Sequence, residues 1–314
     1  MRNLPPLLLL ALFTGCASNI STLQTAKPLE RGQFQVSLGA GAFIPAGQLI
    51  DLVDLGIDES KRIKRAVEDG EPVQLSEEDQ QRLLSAGIGL AVAPPGIVNE
   101  VSLRAGLADN LDVGLRYSGI SWRLDTKYRF HHSGDGAEVR ESSRRSFDMA
   151  IGLAGARHSF KSPVFDVLEI IQINDFSRWD LEVPLYISTD FGDILRLYAA
   201  PKYVYSKTHI DEQLVNFAEQ GRDVSGFDVR LPTTVKSEFV GSTFGLSLGY
   251  KYVHVFAELT GGYTFCKPNV FGLQRNLGGA TFYPAVGIAI RNLPSPRQAP
   301  TPQPVVPTPQ PMVP

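Results

Sequence analysis

The sequence predicts an all-β protein, an antiparallel up-and-down transmembrane β-barrel of about ten strands with a short helical insert. Three observations predict it. Apolar and polar residues alternate through run after run of about ten residues, and successive side chains of a strand point to opposite faces. The polar side of these runs carries charges of both signs, while the apolar side carries aromatics near the run ends. That is the pattern of a barrel with hydrocarbon outside and a polar interior. The connections between runs divide into tight turns and long segments, as the two ends of such a barrel require.

The runs follow in order. Gln33 to Ala42 sets Phe34, Val36, Leu38 and Ala40 against Gln35, Ser37 and Gly39. Glu100 to Leu107 sets Val101, Leu103 and Ala105 against Glu100, Ser102 and Arg104. After the turn residues Ala108-Asp109-Asn110, Leu111, Val113, Leu115 and Tyr117 alternate with Asp112, Gly114, Arg116 and Ser118. Trp122, Leu124, Thr126, Tyr128 and Phe130 then alternate with Arg123, Asp125, Lys127 and Arg129. Phe147 to His158 sets Met149, Ile151 and Leu153 against Asp148, Ala150 and Gly152. Trp179 to Asp190 sets Leu181, Val183, Leu185 and Ile187 against Asp180, Glu182, Tyr186 and Ser188. Leu195 to Tyr205 sets Leu195, Leu197 and Tyr203 against Arg196, Tyr198 and Lys202. Phe239 to Tyr250, Val253 to Phe265 and Thr281 to Ile290 complete the set, with Thr243, His254, Glu258 and Tyr283 on the polar side.

Composition narrows the field further. Net charge is -3, from 30 Lys+Arg and 33 Asp+Glu, without a basic run, so no nucleic-acid partner is expected. Hydrophobic content of 43% and charged content of 20% exclude disorder of the chain as a whole. Past residue 20 there is no stretch of about 18 apolar residues, so no helical span is expected.

Loop lengths order the ends. Tight turns at 108–111, 190–194 and 250–253 face one way, and long connections at 43–97, 159–178, 206–238 and 266–280 face the other. The short turn 118–121 and the long connection 131–146 break the trend. With short turns periplasmic, both termini are expected on the periplasmic side.

Residues 1–15 read as an export signal: Arg2, an apolar run from Leu4 to Phe13, then small residues before a cysteine. Phe13-Thr14-Gly15-Cys16 resembles the lipobox of bacterial lipoproteins, with Phe13 in place of the usual leucine. The resemblance implies cleavage before Cys16, diacylation of its sulfur, and a lipidated linker over 16–32. Ala17, rather than an aspartate, implies sorting to the outer membrane. Two acyl chains suffice for stable anchoring. Cys266 is then left without an intramolecular partner and reads as a small apolar filler at a strand end. Residues 293–314 form a proline-rich tail that favours polyproline II and packs no core.

From about residue 30 to 292 the chain resembles bacterial outer-membrane β-barrel proteins of the lipid-anchored kind. The resembling parts are Phe13 to Cys16, the hairpin Arg104 to Arg116, Leu124-Asp-Thr-Lys-Tyr128 and Asp190-Phe-Gly-Asp193. The resemblance implies outer-membrane lipid, the barrel-assembly machinery and the lipoprotein-sorting machinery as partners, and no cofactor. One departure stands out: such barrels usually end in a strand with a terminal aromatic, whereas here Ile290-Arg291 is followed by the tail.

Within barrel 33–292, residues 44–96 break the two-residue period. Short helices are expected at Ser60 to Glu68 and Ser76 to Ser85, the second with an N-cap serine and an acidic first turn. Such an insert either caps the outside or plugs the lumen. No metal site is expected. Asp51, Asp54, Asp58 and Glu59 lack calcium-loop spacing, and the adjacent His131 and His132, near Asp135 and Glu138, point opposite ways on a strand.

The expected site is the lumen itself, a network of Glu100, Arg104, Asp112, Arg116, Arg123, Asp125, Lys127, Arg129, Asp180, Glu182, Arg196, Lys202 and Glu258, joined by Asp148. Ten strands leave a narrow interior, and buried charges must pair. The first expectation is therefore a closed, non-enzymatic barrel with a structural or surface-interaction role carried by loops 159–178 and 206–238. A second is a narrow channel for small solutes, with Arg104, Arg116, Arg123, Lys127 and Arg129 as a cationic ladder. A third is a lipid-modifying enzyme using His158.

Overall fold

In the computed structural model every one of these runs is a strand. The structure describes residues 18–51, 53–54, 56–57, 89, 93–134, 145–160, 176–192, 194–210, 234–270 and 273–292. The strands are β1 (Phe34–Phe43), β2 (Gly96–Ala108), β3 (Leu111–Tyr117), β4 (Ser121–Gly134), β5 (Arg145–Phe160), β6 (Phe176–Phe191), β7 (Leu195–Ile210), β8 (Thr234–Tyr250) and β9 (Val253–Cys266). A two-residue hairpin of β10 (Asn269–Val270) and β11 (Leu273–Gln274) precedes β12 (Gly279–Arg291). The ten long strands pair antiparallel in sequence order, and β1 closes the ring against β12, with Gln35 opposite Arg291 and Gly41 opposite Ala285.

Several strands run past their apolar patterns. Phe176 pairs with Ile210 and His209 with Thr234, where Lys207, Lys236 and Glu238 stand on the outer side. Ladder hydrogen bonds join backbone groups, so pairing continues where the apolar alternation has ended.

Alternation separates two environments. Leu124 is 65% exposed and Phe244 66%, whereas Arg116 is 5% and Lys127 2% exposed. The hydrocarbon therefore faces out and the charges face in. Along β5 the outward residues Phe147, Met149, Ile151 and Leu153 are uncharged, and Arg145 and Arg157 stand at either end. Each of those arginines lies over an outward aromatic ring, Phe191 at 5.8 Å and Trp179 at 5.3 Å, its apolar stem along the belt and its head beyond it. Tyr117 and Trp122 pack together at 4.6 Å near one end of the barrel, and Phe130 and Tyr250 lie exposed near the other. From Trp122 to Phe130 a strand tilted about 40° rises about 20 Å, roughly the height of a membrane-barrel apolar band.

The end of the barrel holding 109–110, 192–194 and 251–252 is the turn end, and the opposite end, holding 44–95, 161–175 and 211–233, is the loop end. Both β1 and β12 meet the remaining chain at the turn end. In the insert, residues 46–51 are helical, as are 53, 54, 56 and 57, a stretch where the sequence pattern predicts no element. The helices expected at 60–68 and 76–85 lie outside the described residues. Gln48 Nε2 donates to the Leu277 carbonyl at 2.5 Å, which seats the start of the insert on the loop end. The tail 293–314, Cys16 and the signal also lie outside the described residues.

Candidate functional site

The lumen is occupied by the chain's own amino-terminal segment. Ser18, Ile20, Ser21, Thr22, Leu23, Gln24, Thr25, Ala26 and Leu29 are all buried. Contacts along β6 give the direction of this strap. Arg178 Nη1 donates to Ser18 Oγ at 2.6 Å, Gln24 Nε2 to Tyr186 Oη at 2.9 Å, and the Ala26 amide to Ser188 Oγ at 3.2 Å. Lys27 Nζ then lies 3.8 Å from Asp190 Oδ2. The partners advance along β6 as the strap advances, so the strap runs beside that strand from the loop end to the turn end. Extended chain over 18–27 and a tilted strand over 178–190 both rise about 30 Å.

Past Lys27 the strap reaches the turn end. The Leu29 amide donates to Asp112 Oδ2 at 3.0 Å. A turn from Glu30 to Gln33 then reverses the chain into β1, closed by the Gln33 amide on the Glu30 carbonyl at 2.9 Å. Gly32 has φ +80°, the third-position geometry of a type II turn, which favours glycine.

The wall holds the strap by its backbone. Glu258 accepts the amides of Thr22 at 2.6 Å and Leu23 at 2.7 Å, and the Tyr198 hydroxyl at 2.7 Å. Leu23 has φ +43°, an uncommon conformation for a residue with a side chain, and it aims two successive amides at one carboxylate. Arg116 donates to the carbonyls of Ser21 and Thr22, each at 3.0 Å, and lies 3.2 Å from Glu100. Lys202 Nζ donates to the Ile20 carbonyl at 2.6 Å and to Thr22 Oγ1 at 2.8 Å. Lys127 Nζ donates to the Thr25 carbonyl at 2.8 Å and lies 3.3 Å from Asp112. Asn19 and Ser21 bond Glu100. A buried backbone amide or carbonyl without a partner is costly, and these wall groups supply the partners that a strand neighbour supplies elsewhere.

The other charges pair across the wall. Arg104 bridges Asp112 and Asp125. Arg123 pairs with Glu182, which lies 3.8 Å from Lys202. At the loop end Asp180 takes Arg178 at 2.6 Å and His158 at 2.9 Å. At the turn end Arg196 lies 3.4 Å from Asp190, and Arg129, half-buried, 3.1 Å from Asp148.

Glycines make room for the strap. A Cβ on Gly39 would come within 2.6 Å of Leu23 Cδ1, and one on Gly106 within 2.0 Å of the Glu30 carbonyl oxygen. Gly106→Ala is therefore expected to displace the 30–33 turn and cost about 1–3 kcal/mol, an overpacking effect. The check is the temperature at which the barrel's fast-migrating gel form is lost. Gly155→Ala, where nothing lies within 4 Å of the added carbon, should leave that temperature unchanged.

The strap adds two facts that the sequence pattern does not show. The segment 16–32, expected as a linker, fills the lumen over its described part. Ser18 lies at the loop end, whereas β12 ends at the turn end. The cause is the same in both cases: the barrel wall offers more hydrogen-bonding groups than its own charges satisfy, and a segment of small uncharged residues fits between them. Arg178, Asp190, Tyr186 and Tyr198 also belong to this network.

The remaining candidates fall elsewhere. His158 is buried, and Ser121 stands opposite it across the ladder, but the Ser121 hydroxyl is shared with Ser118 Oγ at 2.6 Å. His132 bonds Asp148 at 2.7 Å, and His131 meets the edge of Phe147. Asp135, Glu138, Asp58 and Glu59 lie outside the described residues, while Asp51 and Asp54 are exposed on the insert helix. Cys266 is a free, buried thiol at the end of β9.

No family model matches the chain, and no curated protein matches it. Among solved structures, similarity is found to Neisserial surface protein A, at 10% identity and TM-score 0.31 over 83% of this chain and 99% of that one. Similarity is also found to the outer-membrane protein OprG from Pseudomonas aeruginosa, at 10% identity and TM-score 0.32 over 85% and 98%. The outer-membrane protease OmpT from Escherichia coli shows 9% identity and TM-score 0.33 over 87% and 99%. At such values the assignment of a closed ten-stranded antiparallel barrel rests on the chain's own strand pairing.

Proposed function

We propose that this chain is an outer-membrane barrel, lipid-anchored through Cys16, whose lumen is sealed by its own amino-terminal strap and whose role is structural or surface-interacting, carried by the loop-end segments. The uncharged outward belt between aromatic rows supports the membrane placement. Soluble monomers rarely expose an apolar band this continuous, and it matches a bilayer's needs. The residues of the export signal and lipobox support cleavage before Cys16, its acylation, and passage through the lipoprotein-sorting and barrel-assembly machineries.

The single observation that carries the sealed-barrel function is the strap. The cations that would line a solute path are spent: Arg116 and Lys127 hold strap carbonyls, and Arg104 and Arg123 hold carboxylates. The purified full chain in a planar bilayer is expected to show no stable conductance. Large, stable current steps from the intact chain would contradict the sealed barrel and favour the narrow channel. His158 is buried and lies 2.9 Å from Asp180, and the Ser121 hydroxyl opposite it is shared with Ser118.

A further inference from the structure

The strap traverses the whole lumen, from Glu30 against Gly106 at the turn end to Ser18 against Arg178 at the loop end. At the loop end a crevice lined by Ser18, Ile20, Arg178, Ser206, Ser237 and Cys266 opens beside the strap's leading residue. Two peptide units from Ser18 to Cys16 span about 7 Å at most. That reach is far short of the roughly 30 Å back through a lumen already filled by the strap.

We infer that the amino-terminal segment leaves the barrel through its loop end, so that the acyl chains on Cys16 enter the outer leaflet of the membrane. The inference rests on the outer-membrane, Cys16-acylated function proposed above. It adds the side on which the anchor lies. The connections after β1, β5, β7 and β9 are long and lie at the loop end, against the one after β4 at the turn end, and in outer-membrane barrels the long loops face outward. The anchor and the turn-end tail are thus on opposite sides of the membrane. The occupant of the outer leaflet beside the barrel is a lipid belonging to this same chain, tethered by a strap fixed at Glu258, Arg116 and Lys202.

This topology dictates an order of assembly. A diacylated end is too bulky to be drawn through a closed ten-stranded ring, whose interior barely exceeds its own side chains. The ring closes where β1 meets β12, and β1 follows directly from the strap's turn at 30–33. Closure of that seam therefore takes place around a strap already laid along the inner wall.

Two epitope tags in one full-length chain test the inference, one inserted between Ala17 and Ser18 and one within 293–314. Fractionation, palmitate labelling and heat-dependent gel migration of the tagged chain establish separately that it is acylated and folded in the outer membrane. Failure there would sink the proposed function itself. In chains that pass, antibody or protease added to intact cells is expected to reach the first tag, and to reach the second only after the outer membrane is permeabilised. If both tags stay hidden until permeabilisation, or only the tail tag is reached, the anchor is not on the outer side and the inference fails while the sealed barrel stands.

Discussion

Deleting residues 18–32 is expected to turn a silent barrel into a conducting one. In the intact chain these residues fill the axis of the lumen, and their amides and carbonyls occupy Glu258, Arg116, Lys202 and Lys127. Without them, those charges face an empty passage, and a buried charge without a partner draws in water and counter-ions. The inward rings of Tyr186, Tyr198, Phe239 and Tyr283 remain, so the passage stays narrow. Current steps should therefore be small but stable, where the full chain gives none. Arg116→Glu in the deleted chain should shift ion preference toward cations, since the guanidinium no longer answers two carbonyls. A deleted barrel that stays folded yet conducts nothing would mean that the wall alone closes the lumen.

The second large effect is expected at Arg104. Its guanidinium bridges Asp112, which is fully buried, and Asp125, which is 4% exposed. Arg104→Leu removes the cation and leaves two carboxylates inside the wall. Breaking a buried pair in this way costs about 3–5 kcal/mol. Asp112 keeps Lys127 at 3.3 Å and the Leu29 amide at 3.0 Å, so Asp125 bears most of the loss. Adding Asp125→Asn to Arg104→Leu should restore part of it, and the two changes should be strongly non-additive. Denaturant unfolding of the refolded barrel measures both. A loss under about 1 kcal/mol for Arg104→Leu would mean the pair is solvated.

The wall was legible in the sequence because hydrocarbon and lumen impose opposite demands on neighbouring residues. Leu124 and Asp125, or Leu115 and Arg116, differ as sharply as their surroundings do. The ends of β5 to β8 were less legible, since Lys207 and Lys236 stand outside the apolar band and the ladder there depends on backbone alone. The strap left almost no trace. Ser18 to Ala26 carries no charge and no two-residue period, and its bonds to Arg116, Lys202 and Glu258 are made largely by amides and carbonyls that every residue has. The readable trace was indirect: inward glycines such as Gly39, Gly106 and Gly287, where a filled lumen wants volume, mark where another segment lies close.

The placement of residues 18–29 inside the barrel is tested most directly by a cross-link. Thr22 Oγ1 lies 3.1 Å from Thr243 Oγ1 on the inner face of β8, near enough for a disulfide between cysteines at the two positions. Thr22→Cys with Thr243→Cys, in a Cys266→Ser chain, should form that disulfide in the folded barrel. Thr22→Cys with Phe244→Cys, whose partner points outward, should not. A folded barrel in which the two thiols introduced at positions 22 and 243 both stay free would show that the segment lies elsewhere.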